Sequence, residues 1–84
     1  WNDEGLKALS AKVVRAAPNV EVAFVMRATV LSGHGAWEAG PRSAAELKEA
    51  ATNFERAAAI HPAPAVKAEL TSYADACRSQ AEAM

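Results

Sequence analysis

The sequence lacks several features that define whole classes of protein. It holds one cysteine, Cys77, so no internal disulfide can form, and a reducing compartment such as the cytoplasm is favoured. A membrane span needs about 20 successive apolar residues. Here Glu21 and Arg27 interrupt the longest apolar candidate, Val20 to Leu31. These absences exclude a disulfide-stapled scaffold, argue against any membrane partner and predict a soluble protein.

An excess of charge of one sign is also missing. Nine Lys and Arg residues face ten Asp and Glu residues, a net charge of -1, and the basic residues form no cluster. Binding to a row of phosphates requires such a cluster, so we expect no nucleic-acid partner. The sequence holds no phosphate loop, dinucleotide fingerprint or nucleophile motif. We therefore expect neither an enzyme nor a cofactor.

Residues that bind metals are too few and too scattered to suggest a site. A structural zinc site takes four ligands at close spacing, whereas His34, His61 and Cys77 are far apart in sequence. His34 is expected in a solvated loop, His61 at the end of a helix, and Cys77 in an apolar helix face. We expect no metal.

Apolar residues at steps of three and four predict an all-α fold. Hydrophobic residues make up 51% of the chain, and much of that share is alanine, the strongest helix former. The spacing predicts four helices, at roughly 3–17, 20–32, 44–60 and 64–82, in one domain. The segment 33–42 carries three of the four glycines and is predicted to be a long loop. Because the chain opens at Trp1 without an initiator Met, we expect it to be part of a longer protein.

Polar residues and prolines mark where the helices begin. Asn2 or Asp3 is suited to cap the first helix and Asn19 the second. Ser43 and Glu46 fit a capping box, in which each side chain binds the other residue's backbone amide. Pro64 suits the first turn of the fourth helix.

Each of the later helices has an apolar face. The second helix is apolar along two lines, so we expect it to have packed neighbours on two sides. One line consists of Ala23, Met26 and Val30, and the other of Phe24, Ala28 and Leu31. The third and fourth each carry one stripe: Leu47, Ala50, Ala51, Phe54, Ala57 and Ala58; and Val66, Leu70, Tyr73, Cys77, Ala81 and Met84.

A repeated pattern links the two halves of the chain. Residues 12–18 and 56–62 both close a helix with a basic residue, small and aliphatic residues and a proline. Ala50, Phe54, Ala57 and Pro62 follow the small, aromatic, small and proline spacing of the tetratricopeptide repeat family, which the chain resembles. That family's unit is a helical hairpin of about 34 residues. Arg27, at a position where the family has a small residue, and the long loop are departures from its pattern.

The resemblance implies antiparallel helical hairpins stacked as a short array that binds a protein or peptide. Its groove would be lined by residues from the second and fourth helices: Glu21, Phe24, Ala28 and Leu31; and Thr71, Asp75 and Arg78. A mixed apolar and acidic surface of this kind suits a peptide with an apolar anchor and some positive charge. Trp37, in the glycine-rich loop, is either folded back onto the helices or exposed as a contact anchor.

The alternative interpretation is a structural element. A helical bundle with exposed apolar faces would form homo-oligomers or dock within a larger protein, and the doubly apolar second helix favours this. An enzymatic role remains only as a regulatory or docking part of a longer catalytic chain.

Overall fold

The fold is built from four consecutive helices. The computed structural model describes residues 2–34, 37 and 39–84, and these contain no β-strand. The helices are α1 (Asp3–Ala16), α2 (Glu21–Ser32), α3 (Ala44–Ile60) and α4 (Pro64–Glu82). The predicted all-α fold is confirmed, and no predicted helix end differs from the observed one by more than one residue.

Consecutive helices run antiparallel. Glu21 at the start of α2 lies 3.6 Å from His61 at the end of α3, whereas the carbonyl of Val30, late in α2, accepts a hydrogen bond from Arg42, just before α3. Lys67, early in α4, likewise reaches the carbonyl of Ala59, late in α3. Helices α2, α3 and α4 each pack against the helix that precedes them in the chain.

Local side-chain chemistry sets most helix ends. Asn2 caps α1 by accepting a 2.7 Å hydrogen bond from the Gly5 amide. Ser43 and Glu46 form the predicted capping box, with bonds of 3.1 and 3.0 Å. Gly33 ends α2 at φ +76°, a left-handed conformation that glycine adopts without strain.

The expected cap of α2 is wrong. The N-cap position is held by Val20 rather than Asn19, and no side chain bonds the free amides there. Residues 18 and 19 instead form the turn after α1. The turn places Asn19 one residue too early for its side chain to act as the cap.

The core lies between α2, α3 and α4. All six residues of the predicted α3 stripe are buried, and all of them except Leu47 belong to the apolar cluster shared with α2 and α4. Several alanines are completely buried: Ala28, Ala50, Ala51, Ala57 and Ala74. A side chain that ends at Cβ lets two helix axes approach closely, so these positions set the helix spacing.

Two residues of the predicted α4 stripe are exposed, and a third, Val66, is only partly buried. Tyr73 is 47% exposed and Met84, beyond the helix end, is 67% exposed. Leu70, Cys77 and Ala81 of that stripe are buried as predicted, and Ala74 is buried beside them. Because α4 has a packed neighbour on one side among the described residues, its buried face is narrower than the spacing predicts.

Helix α1 is held by polar contacts in addition to the packing of Val14 against the core. Its most buried residue is Ser10, which is 0% exposed, whereas Leu6 is half-buried. Arg27 of α2 donates to the Lys7 carbonyl (2.8 Å) and to Ser10 Oγ (3.1 Å), and it also donates to Glu49 of α3 (3.0 and 3.1 Å). Arg27 thus joins three helices.

Candidate functional site

A groove lies between α2 and α4, with α3 contributing its base. It encloses a cavity of about 270 Å³. Val25 and Thr29 line it from α2, Leu70 and Tyr73 from α4, and Phe54 from α3. Ser32 and His34 complete the lining.

The groove is formed mainly by apolar surface with one aromatic pair. The rings of Phe54 and Tyr73 lie 5.5 Å apart between centroids, tilted by 49°. This separation falls in the range of favourable aromatic pairs. Phe54 is buried, but nearly half of Tyr73 is exposed, so Tyr73 is the aromatic surface that a ligand in the groove would contact.

A carboxylate stands beside Tyr73. The Tyr73 hydroxyl donates a 2.8 Å hydrogen bond to Glu69 Oε1. That hydrogen bond raises the pKa of Tyr73, because removing the phenol proton would leave two negative charges in contact. Glu69 is exposed, and it therefore offers negative charge near the apolar groove.

The α2 residues predicted to line a groove lie in the core instead. Phe24, Ala28 and Leu31 are 5%, 0% and 2% exposed and pack in the same cluster as α3. Their assignment to a partner surface is corrected accordingly. The observed lining residues follow each of them by one position, a rotation of about 100° around the helix: Val25, Thr29 and Ser32.

The remaining predicted residues lie outside the groove lining. Thr71 and Asp75 are exposed and lie outside the cavity lining, and the Thr71 hydroxyl donates to the Lys67 carbonyl. Arg78 bonds Glu55 of α3. Glu21 faces His61, at the end of α3. Glu21 therefore meets the end of α3, whereas Thr71, Asp75 and Arg78 lie at successive turns of α4.

Trp37 is folded back rather than exposed as an anchor. It is partly buried, and its indole N–H donates a 2.7 Å hydrogen bond to Asp3 Oδ1. The same carboxylate accepts two bonds from Arg42, at 2.6 and 2.8 Å, and one from the Gly40 amide, at 3.2 Å. We call Asp3, Trp37, Gly40 and Arg42 the loop clamp, because they fasten the long loop to the start of α1.

The loop clamp depends on charge. Hydrogen bonds from Arg42 and then from Trp37 hold the pKa of Asp3 well below its usual range. The bond to Asp3 raises the pKa of Arg42 in turn. Nearby, Lys7 bonds Glu46 at 2.8 Å, which lowers the pKa of Glu46 and ties α1 to the capping box of α3.

The three residues considered for metal binding have separate roles. His34 is exposed at the groove, and His61 accepts a hydrogen bond at Nδ1 from the Ala63 amide. Cys77 is 2% exposed, and burial raises the pKa of its thiol, which disfavours the reactive thiolate. No group of three or more His, Cys, Asp and Glu side chains able to hold a metal ion occurs among the described residues. In the same residues, no helix combines the length and the apolar character needed to cross a membrane.

Comparison with protein-family models, with curated proteins and with solved structures found no match.

Proposed function

We propose that this chain is a protein-interaction module that binds a peptide segment of a partner in the groove between α2 and α4. The groove supports this because it has an apolar base, an exposed aromatic wall and a carboxylate beside that wall. The resemblance to the tetratricopeptide repeat family favours the same kind of function, because that family binds peptides in grooves between its helices.

The chemistry of the groove indicates the kind of peptide. A cavity of about 270 Å³ suits one or two apolar side chains rather than a large ligand. Glu69 beside Tyr73 favours a Lys or Arg close to that apolar anchor. The expected ligand is therefore an extended or helical segment with an apolar anchor and a neighbouring positive charge.

The half-exposed ring of Tyr73 is the observation that carries the proposal, and a displayed library of random peptides tests it. Enriched peptides are expected to share the anchor and the positive charge. Fluorescence polarisation should then show affinity weakened by at least about tenfold in Tyr73→Ala, as is typical of an aromatic anchor. Gln80→Ala is the control, since Gln80 is exposed on the same helix and lies outside the groove lining. Failure of the library to yield any saturable ligand, or equal binding by Tyr73→Ala, would contradict the proposal.

A second candidate function is self-assembly through the end of the bundle where α2 begins and α3 ends. Three large apolar residues are exposed there: Val20 (50%), Val22 (72%) and Ile60 (45%). Exposed apolar residues gathered at one place are typical of a protein contact. Light scattering over a range of concentrations separates the two candidates, because self-assembly requires the mass to rise with concentration and to fall back in Val22→Ser.

A further inference from the structure

A second cavity lies on another face of the molecule, where α1, α2 and α3 meet. It measures about 400 Å³ and is larger than the groove. Three arginines line it, one from each helix: Arg15, Arg27 and Arg56. Glu49 supplies one negative charge, so the ionised side chains of the lining leave a net charge of +2 on a chain whose total is -1. Positive charge is therefore concentrated in this cavity.

The three arginines are not equivalent. Arg27 is committed to Glu49, Ser10 and the Lys7 carbonyl. Within residues 2–34, 37 and 39–84, no carboxylate lies within 4 Å of the guanidinium of Arg15 or Arg56. Arg27 bonds one oxygen of Glu49, and neither Arg15 nor Arg56 forms an ion pair with this carboxylate.

One of these guanidinium groups contacts an aromatic ring that lies outside the cavity lining. The Arg56 guanidinium carbon lies 6.0 Å from the centroid of the Phe24 ring, which is itself fixed in the core. That contact is at the outer limit for a cation over an aromatic face. Ala11 and Val14 add apolar surface to the same cavity.

We propose that this cavity binds a small organic anion, whose carboxylate or phosphate oxygens accept hydrogen bonds from Arg15 and Arg56. A guanidinium donates two parallel N–H bonds to such an oxyanion, which makes arginine better suited to this task than lysine. The apolar part of the ligand would contact Ala11 and Val14. The cavity is distinct from the peptide groove, with no lining residue in common, so this proposal stands apart from the proposed function.

The test uses two defined probes, inorganic phosphate and the dicarboxylate adipate, each titrated into the whole chain at constant ionic strength. Binding is followed by calorimetry and by amide chemical shifts. We expect saturable binding of at least one probe with Kd below about 1 mM. The preferred probe identifies the oxyanion as a phosphate or a carboxylate.

The variant Arg15→Gln/Arg56→Gln is expected to weaken that binding at least tenfold. Both residues are exposed, so the substitutions leave the core intact. Arg78→Gln is the matched control, because Arg78 pairs with Glu55 and lies outside the cavity lining. The affinity of this variant for the anion should equal that of the wild type. Tyr73→Ala should also bind the anion normally, which separates this site from the peptide groove. The proposal is overturned if neither probe saturates, or if the double variant binds as tightly as the wild type.

Discussion

Replacing the buried alanine of α4 tests the close packing on which the fold depends. Ala74 is 0% exposed and belongs to the core cluster shared with α3. In Ala74→Leu, three added carbon atoms must enter a contact that the alanine methyl already fills. Either α4 moves away from α3 or neighbouring side chains leave their preferred rotamers.

The expected loss of stability is large for a chain of this size. Overpacking a core position costs about 1 to 3 kcal/mol. A domain of 84 residues has a free energy of unfolding of about 4 to 13 kcal/mol. At about 4 to 8 °C for each kcal/mol, the midpoint of thermal unfolding should fall by about 4 to 24 °C.

Circular dichroism during thermal and urea unfolding measures this effect, with Ala76→Leu as the control. Ala76 lies on the same helix two residues later and is exposed. Alanine and leucine have similar helix propensities, so the control should stay within about 0.5 kcal/mol of the wild type. Equal stability of Ala74→Leu and Ala76→Leu would show that α3 and α4 do not pack through Ala74.

Two further predictions concern the attachment of α1. Arg27→Ala removes donors to the Lys7 carbonyl and to Ser10, and it should destabilise the chain by about 2 kcal/mol. Hydrogen exchange should show α1 losing protection before the other helices, and unchanged protection there would contradict the role of Arg27. The pKa of Asp3 is lower in the folded chain, so the unfolded chain binds the proton more readily. The Asp3 carboxylate therefore stabilises the fold fully at pH values above its unfolded pKa, about 3.8. This stabilisation is lost as the pH falls below that value. The thermal midpoint of Asp3→Asn should therefore lie below that of the wild type at pH 7, and the gap should narrow between about pH 4 and pH 2. A gap that stays constant over that range would show that Asp3 does not act through its charge.

The sequence was sufficient for features that depend on neighbouring residues. Ser43 and Glu46 are three positions apart, so their capping box is visible as a local motif. The α3 stripe was also predictable, because a helix packed on both sides buries a broad face, and small errors in orientation leave the same residues inside. Most helix limits follow from prolines, glycines and caps, which act within one turn, whereas the start of α2 has no side-chain cap.

Tertiary structure alone decided which side of α2 meets the groove. Phe24 and Val25 are both apolar, and nothing in their local spacing shows which of them packs on α3. Which of these two residues packs on α3 depends on the side chains of α3 that face α2. Two further contacts could not be predicted, because each joins residues that are distant in sequence. Asp3 and Arg42 are 39 positions apart, and Lys7 and Arg27 are 20 positions apart. Local sequence determines helices and their ends, because those rest on hydrogen bonds within a few residues. The grooves and cavities form only when whole helices come together.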